Sequence, residues 1–99
     1  MRELKTLEEL NNFITSYEKV AIDFYATWCG PCKVIGPYFQ ELSSLFPNIK
    51  FAKVDCDDFE VGDFAIQSLP TFVFFVNGTE NERMIGANKV NLKDHLSKL

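Results

Sequence analysis

The sequence predicts an α/β fold in which a mixed central β-sheet is flanked by helices on both faces. Three observations carry that prediction. Apolar runs suited to buried strands alternate with segments whose apolar residues recur at helical spacing. The runs at 20–25 and 49–55 are separated by a long helical pattern, so a right-handed crossover would make them parallel. The runs at 71–76 and 79–85 are separated by Asn77-Gly78, a strong hairpin signal that makes them antiparallel. A sheet parallel in one half and antiparallel in the other is covered by helices on both faces.

Taken in order, Arg2–Lys5 is a short edge strand. Thr6 followed by Glu9 is a capping box, and Leu7, Leu10, Phe13, Ile14 and Tyr17 form one apolar stripe, so a helix runs from there to about Ser16–Lys19. Val20–Tyr25 is the first central strand. From Cys29 a second helical stripe, Val34, Ile35, Tyr38, Phe39, Leu42, Leu45 and Phe46, continues in phase past Gly36-Pro37. Pro37 therefore kinks this helix without ending it, and Pro47-Asn48 terminates it. Ile49–Asp55 is the next strand. Asp57 or Asp58 caps a short helix that Gly62 weakens and that reaches about Ile66, with Val61, Phe64 and Ala65 inward. Gln67–Pro70 is a loop. Beyond the hairpin, Gly86 ends or bulges the edge strand, and Asn88–Lys98 closes the chain as a helix with Leu92, Leu96 and Leu99 on one face.

At 99 residues, residues 1–99 form a single domain that buries somewhat more than roughly 60% of its unfolded surface, with ten Phe and 46% hydrophobic residues to build the core. The net charge of −4 is dispersed and no basic run exists, which argues against nucleic acid as a ligand. The N-terminus lacks an apolar signal region and no segment has membrane-spanning length, so no membrane partner and a cytoplasmic location are expected. Structural disulfides are rare there, which makes a cysteine pair redox-active or metal-binding.

That pair is Cys29 and Cys32, set where the first central strand gives way to a helix, in Trp28-Cys29-Gly30-Pro31-Cys32-Lys33. Positions i and i+3 of a first helical turn share a face about 5–6 Å apart, so the two sulfurs can close and reopen a disulfide. Unpaired N–H groups and the helix dipole favour a thiolate on the leading cysteine, which makes Cys29 the nucleophile. Pro31 loses nothing in a first turn and stiffens the link between the sulfurs; Gly30 lets another chain approach. A zinc site needs four ligands, and only Cys56 and His95 remain to add, so no metal is expected.

Two further residues stay open on pattern alone. Asp23, a carboxylate within an apolar strand, either points to solvent by alternation or is buried for a purpose. Cys56 is either a small buried hydrophobe or an exposed thiol open to oxidation. His95 is a surface residue.

Trp28-Cys29-Gly30-Pro31-Cys32-Lys33 after a strand ending Asp23-Phe24-Tyr25-Ala26-Thr27 resembles the active-site segment of the thioredoxin family, and the likeness extends through Pro37, Pro70-Thr71, Asn77-Gly78 and Gly86. The resemblance implies a thioredoxin fold and reduction of protein disulfides by exchange through Cys29 and then Cys32, the resolving cysteine. It implies that Asp23 lies buried behind Cys32 and takes its proton, with Lys53 of the neighbouring strand beside it. It also implies that Pro70 is cis against the disulfide, and that Leu69 offers backbone to an extended substrate while Trp28, Gly86 and Ala87 complete an apolar rim. No bound cofactor is implied beyond the redox-active disulfide Cys29–Cys32. The implied partners are disulfide-containing proteins and an NADPH-dependent flavoprotein thioredoxin reductase, and a monomer is expected because no apolar stripe is left unassigned. Gly-Pro between the cysteines resembles the reducing members more than the isomerases. A binding module without turnover is the rival from another class. The departures from the family pattern are a short first strand, Gly62 and the additional Cys56.

Overall fold

A computed structural model describes all of residues 1–99. The element order is β1 (Arg2–Glu3), α1 (Leu7–Ser16), β2 (Lys19–Tyr25), α2 (Gly30–Leu42), β3 (Lys50–Asp55), a 3₁₀ turn (Gly62–Phe64), β4 (Thr71–Val76), β5 (Thr79–Ile85) and α3 (Lys89–Lys98). The five strands form one sheet in the order β1-β3-β2-β4-β5. β1 and β2 run parallel to β3, whereas β4 runs antiparallel to both β2 and β5, which is the mixed sheet expected from the crossover and the hairpin. No helix is long and apolar enough to cross a membrane.

Alternation along β2 divides the core between the two faces of the sheet. Val20, Ile22 and Phe24 join Leu10, Phe13 and Ile14 of α1 on one face. Ala21 joins Ile35, Phe39 and Leu42 of α2 and Leu92 and Leu96 of α3 on the other. Asp23 shares the phase of Ala21, so the same alternation turns its carboxylate toward α2. Phe39 is fully buried, with its ring 4.9 Å from Phe51 and 5.1 Å from Phe72, and anchors α2 on the sheet.

Local chemistry explains the helix ends. The Thr6 hydroxyl accepts from the Glu9 N–H at 3.1 Å while Glu9 reaches back to the Lys5 N–H at 2.7 Å, a capping box shifted one residue on its return arm. Asn88 caps α3 through the Asn91 N–H at 2.9 Å. Asn77 (φ 51°) and Gly78 (φ 82°) take the left-handed conformations that a tight two-residue hairpin turn requires. Gly86 (φ 101°) ends β5, and the bulge lies elsewhere, at Asn81, where Phe74 pairs with Glu82 and Phe75 with Glu80.

Four expectations are corrected. α2 passes through Pro37 but stops at Leu42, not at Pro47: Ser43, Ser44 and Leu45 bond back three residues, and the Ser43 and Ser44 hydroxyls donate to the Gln40 and Glu41 carbonyls, tightening the last turn. Leu45 consequently swings out of the apolar stripe and is exposed, as is Val34. The helix expected over 57–66 shrinks to the single 3₁₀ turn, because the Asp55 side chain accepts from the Asp57 N–H at 3.0 Å and holds the chain in a local turn. His95 is half-buried: its ring stacks on Phe74 at 5.4 Å and 11°, and Nδ1 lies 3.4 Å from Glu82.

Candidate active site

The site sits at the carboxyl end of β2, where Ala26–Trp28 turn the chain into α2. Cys29 is the N-cap of α2, and its sulfur accepts from the Cys32 N–H at 3.3 Å. Gly30 and Pro31 are the first two helical residues, so the proline costs α2 no hydrogen bond. Cys29 and Cys32 are joined as a disulfide with Cα atoms 5.3 Å apart, both 5% exposed, and they pack with Ala26, Tyr25 and Leu69. A Cβ added to Gly30 would meet nothing within 4 Å, so the fold itself does not demand glycine there.

The rim is assembled from three separate loops. Leu69–Pro70 is cis, and the Thr71 hydroxyl donates to the Ser68 carbonyl at 2.6 Å across it. Gly86 donates its N–H to the Pro70 carbonyl at 2.9 Å, joining the end of β5 to that loop. Ala87 is half-buried against the α2/α3 side of the core. Trp28 is 70% exposed, yet its indole N–H donates to Asp57 at 2.8 Å. In sequence Asp57 has the signal of a helix cap and none of a partner for Trp28. Its distance of 29 residues from Trp28 hides the bond, and only the pairing of β2 with β3 brings the two loops together.

Behind Cys32 lies a cleft of about 430 Å³ lined by Asp23, Cys32, Lys53, Thr27, Gly36 and Gln40 among others. Asp23 is 3% exposed, and its Oδ1 has no hydrogen-bond partner. Burial pushes its carboxyl up to about 7, against a smaller opposing pull from the Lys53 charge. The solvent-facing reading of Asp23 is therefore excluded. Lys53 is the register partner of Asp23, but its ammonium lies 3.9 Å from Glu3 and over the Tyr25 ring at 5.6 Å, so it acts on Asp23 through space without a direct ion pair. Glu3 carries no local signal in the sequence and reaches Lys53 only through the parallel register of β1 with β3. Cys56 is half-buried, and burial, followed by the charges of Asp55 and Asp57, raises its thiol to about 11. It is the less reactive of the two forms that the sequence left open.

A family model described as Thioredoxin matches residues 3–98. The chain belongs to the thioredoxin family. It is 38% identical over 99 residues to Thioredoxin-1 of Saccharomyces cerevisiae, covering 96% of this chain and 94% of that protein. Among solved structures, a Plasmodium falciparum thioredoxin superposes with a TM-score of 0.97 at 35% identity over 99% of this chain and 98% of its own. A structure from work on thiol resolution in yeast mitochondrial 1-Cys peroxiredoxin via glutathione and thioredoxin systems superposes at 0.94 with 35% identity, over 100% and 95%. The fold is thus the thioredoxin fold. As a thioredoxin-family member with Cys29 and Cys32 bonded in the active-site position, the protein is a protein-disulfide oxidoreductase.

Proposed function

We propose that residues 1–99 act as one monomeric thioredoxin domain in the cytoplasm. The domain reduces protein disulfides and is itself re-reduced by an NADPH-dependent flavoprotein thioredoxin reductase. In this reading the Cys29 thiolate attacks a substrate disulfide: a Cys29–substrate bond forms, and the other substrate sulfur leaves as a thiolate that takes up a proton. Cys32 gives its proton to the Asp23 carboxylate and attacks the Cys29 sulfur. The second substrate sulfur leaves, two electrons have passed to the substrate, and the Cys29–Cys32 disulfide remains. The reductase returns two electrons, and its nicotinamide and flavin stay with it because nothing in this sequence resembles a dinucleotide fingerprint.

The observation that carries this reading is Asp23: a buried carboxyl with an unpaired oxygen, its pKa raised to about 7, in the cleft that Cys32 also lines. A group so placed exchanges protons at neutral pH, which suits a base for the resolving thiol. Lys53 and the Gly30-Pro31 link are assigned to tuning. Trp28, Leu69, Pro70, Gly86 and Ala87 are assigned to substrate contact, with the Leu69 backbone pairing an extended segment. The open space above Gly30 supports close approach there. The substrate class is in keeping with the neighbour from work on thiol resolution in a 1-Cys peroxiredoxin via glutathione and thioredoxin systems.

The test is NADPH oxidation on mixing the protein with thioredoxin reductase and a disulfide protein such as insulin. Turnover that depends on both cysteines is expected. No oxidation with reductases of several types, alongside tight binding of reduced partners, would replace this reading with that of a binding module.

A further inference from the structure

We propose that Arg83, on β5 and outside the reacting centre, is a positioning residue that holds the substrate-binding loop in place through the main chain of Phe64 and Ala65. The inference rests on the reading of Leu69 as a substrate contact.

The loop in question joins β3 to β4 over residues 56–70 and contains no regular element except the 3₁₀ turn Gly62–Phe64. Such a segment has little backbone hydrogen bonding of its own, so its shape depends on outside anchors. Two are visible. Phe64 packs into the α1-side core with its ring 5.6 Å from Phe24 and 6.3 Å from Phe75. Arg83 supplies the second: Nη2 donates to the Phe64 carbonyl at 2.9 Å and Nη1 to the Ala65 carbonyl at 3.3 Å. No backbone N–H reaches either carbonyl, so Arg83 is their sole protein donor.

The guanidinium is itself fixed. Nε and Nη2 each donate to the Glu80 carboxylate at 2.7 Å, a bidentate pair within one strand. Pairing of Arg83 with Val73 of β4 places it on the face of the sheet where Phe64 lies. A planar fork can hold the carboxylate on one edge and two successive carbonyls on the other, which a lysine ammonium cannot do.

What Arg83 secures leads directly to the site. Ala65 sits in the left-handed region at φ 51°, a conformation its Cβ disfavours and that a relaxed loop would leave. Ile66, Gln67 and Ser68 then run from Ala65 to Leu69, and together with Trp28 and Leu69 they line a groove, while Leu69 itself packs against Cys29 and Cys32. Releasing the two carbonyls frees Ala65 to change conformation, and the displacement is passed to Leu69 while Cys29, Cys32 and Asp23 stay on β2 and α2. A protein substrate that pairs along the loop senses the change. A small disulfide that meets only the Cys29 sulfur does not.

The experiment compares wild type with Arg83→Met, which keeps the aliphatic length without donors, Arg83→Lys, and Glu80→Gln, using insulin and the small disulfide 5,5′-dithiobis(2-nitrobenzoate). In Arg83→Met, KM for insulin is expected to rise about ten-fold, the lower end of what losing a charged hydrogen bond costs. The maximal rate and the second-order rate with the small disulfide are expected to stay within about two-fold. Arg83→Lys recovers part of the loss, and Glu80→Gln shows a smaller shift in the same direction, which serves if Arg83→Met folds poorly. Amide hydrogen exchange at Phe64 and Ala65, whose N–H groups bond to the Val61 and Gly62 carbonyls, is expected to be faster by several-fold in the variant and reads the loop independently of turnover. Unchanged exchange there overturns the inference even if no substrate is turned over, and so does an equal loss on both disulfides. Failure of wild type to reduce insulin would instead overturn the substrate reading.

Discussion

Asp23 shows how one residue's environment becomes a property of the whole protein. Its folded-state pKa of about 7 stands above the ordinary 3.8, so the native state binds a proton more tightly than the unfolded chain between those values. Stability is therefore full below about pH 4, falls as pH rises through the window up to 7, and stays reduced above it, by a few kcal/mol in all. Asp23→Ala is expected to be more stable than wild type at pH 9 by about 2–4 kcal/mol and nearly equal to it at pH 4, in urea unfolding of the oxidised proteins. A difference that does not change with pH would show that the carboxyl is solvated or paired. Sequence made the cysteines legible, because their i, i+3 spacing at a strand-to-helix junction is a local fact. Asp23 was legible as an anomaly in an apolar strand, but its burial depends on α2 lying over it. Asp57 and Arg83 were not legible, since each acts on a residue far away in the chain, Trp28 in one case and the Phe64–Ala65 backbone in the other.

At the level of elements, the signals that succeeded were those written into adjacent residues. The Thr6 cap, the passage of α2 through Pro37 and the Asn77-Gly78 turn all needed only neighbours within a few positions. The failures were competitions between two local options: Ser43 and Ser44 draw helix carbonyls away at the end of α2, and Asp55 folds the 57–66 segment into turns before a helix can start. Energies follow the same division. Thr6→Ala is expected to cost about 1 kcal/mol by thermal or urea unfolding, the worth of one N-cap. Phe39→Ala, which empties the contact of α2 with Phe51 and Phe72, is expected to cost about 3–5 kcal/mol. A Phe39 variant losing under 1 kcal/mol would mean that α2 is held to the sheet by something other than this packing.

For the molecule as a whole, the two core layers meet only through the sheet, and the site lies where β2 hands over to α2 with loops from β3–β4 and from β5 closing around it. The reading of residues 1–99 as one domain predicts coincident unfolding by far-UV circular dichroism and by fluorescence of Trp28, the sole tryptophan, which reports the site itself. Separate transitions would divide the rim from the sheet. The proposed function is an order of events, in which Cys29 would meet the substrate and Cys32, relieved of its proton by Asp23, would release it. The most direct measurement of that order is trapping with an oxidised protein substrate, followed by mass spectrometry of the non-reduced product. Cys32→Ser is expected to accumulate a one-to-one covalent complex through Cys29, and Cys29→Ser to accumulate none. A complex that forms through Cys32 and survives the loss of Cys29 would contradict the assignment and reverse the two roles.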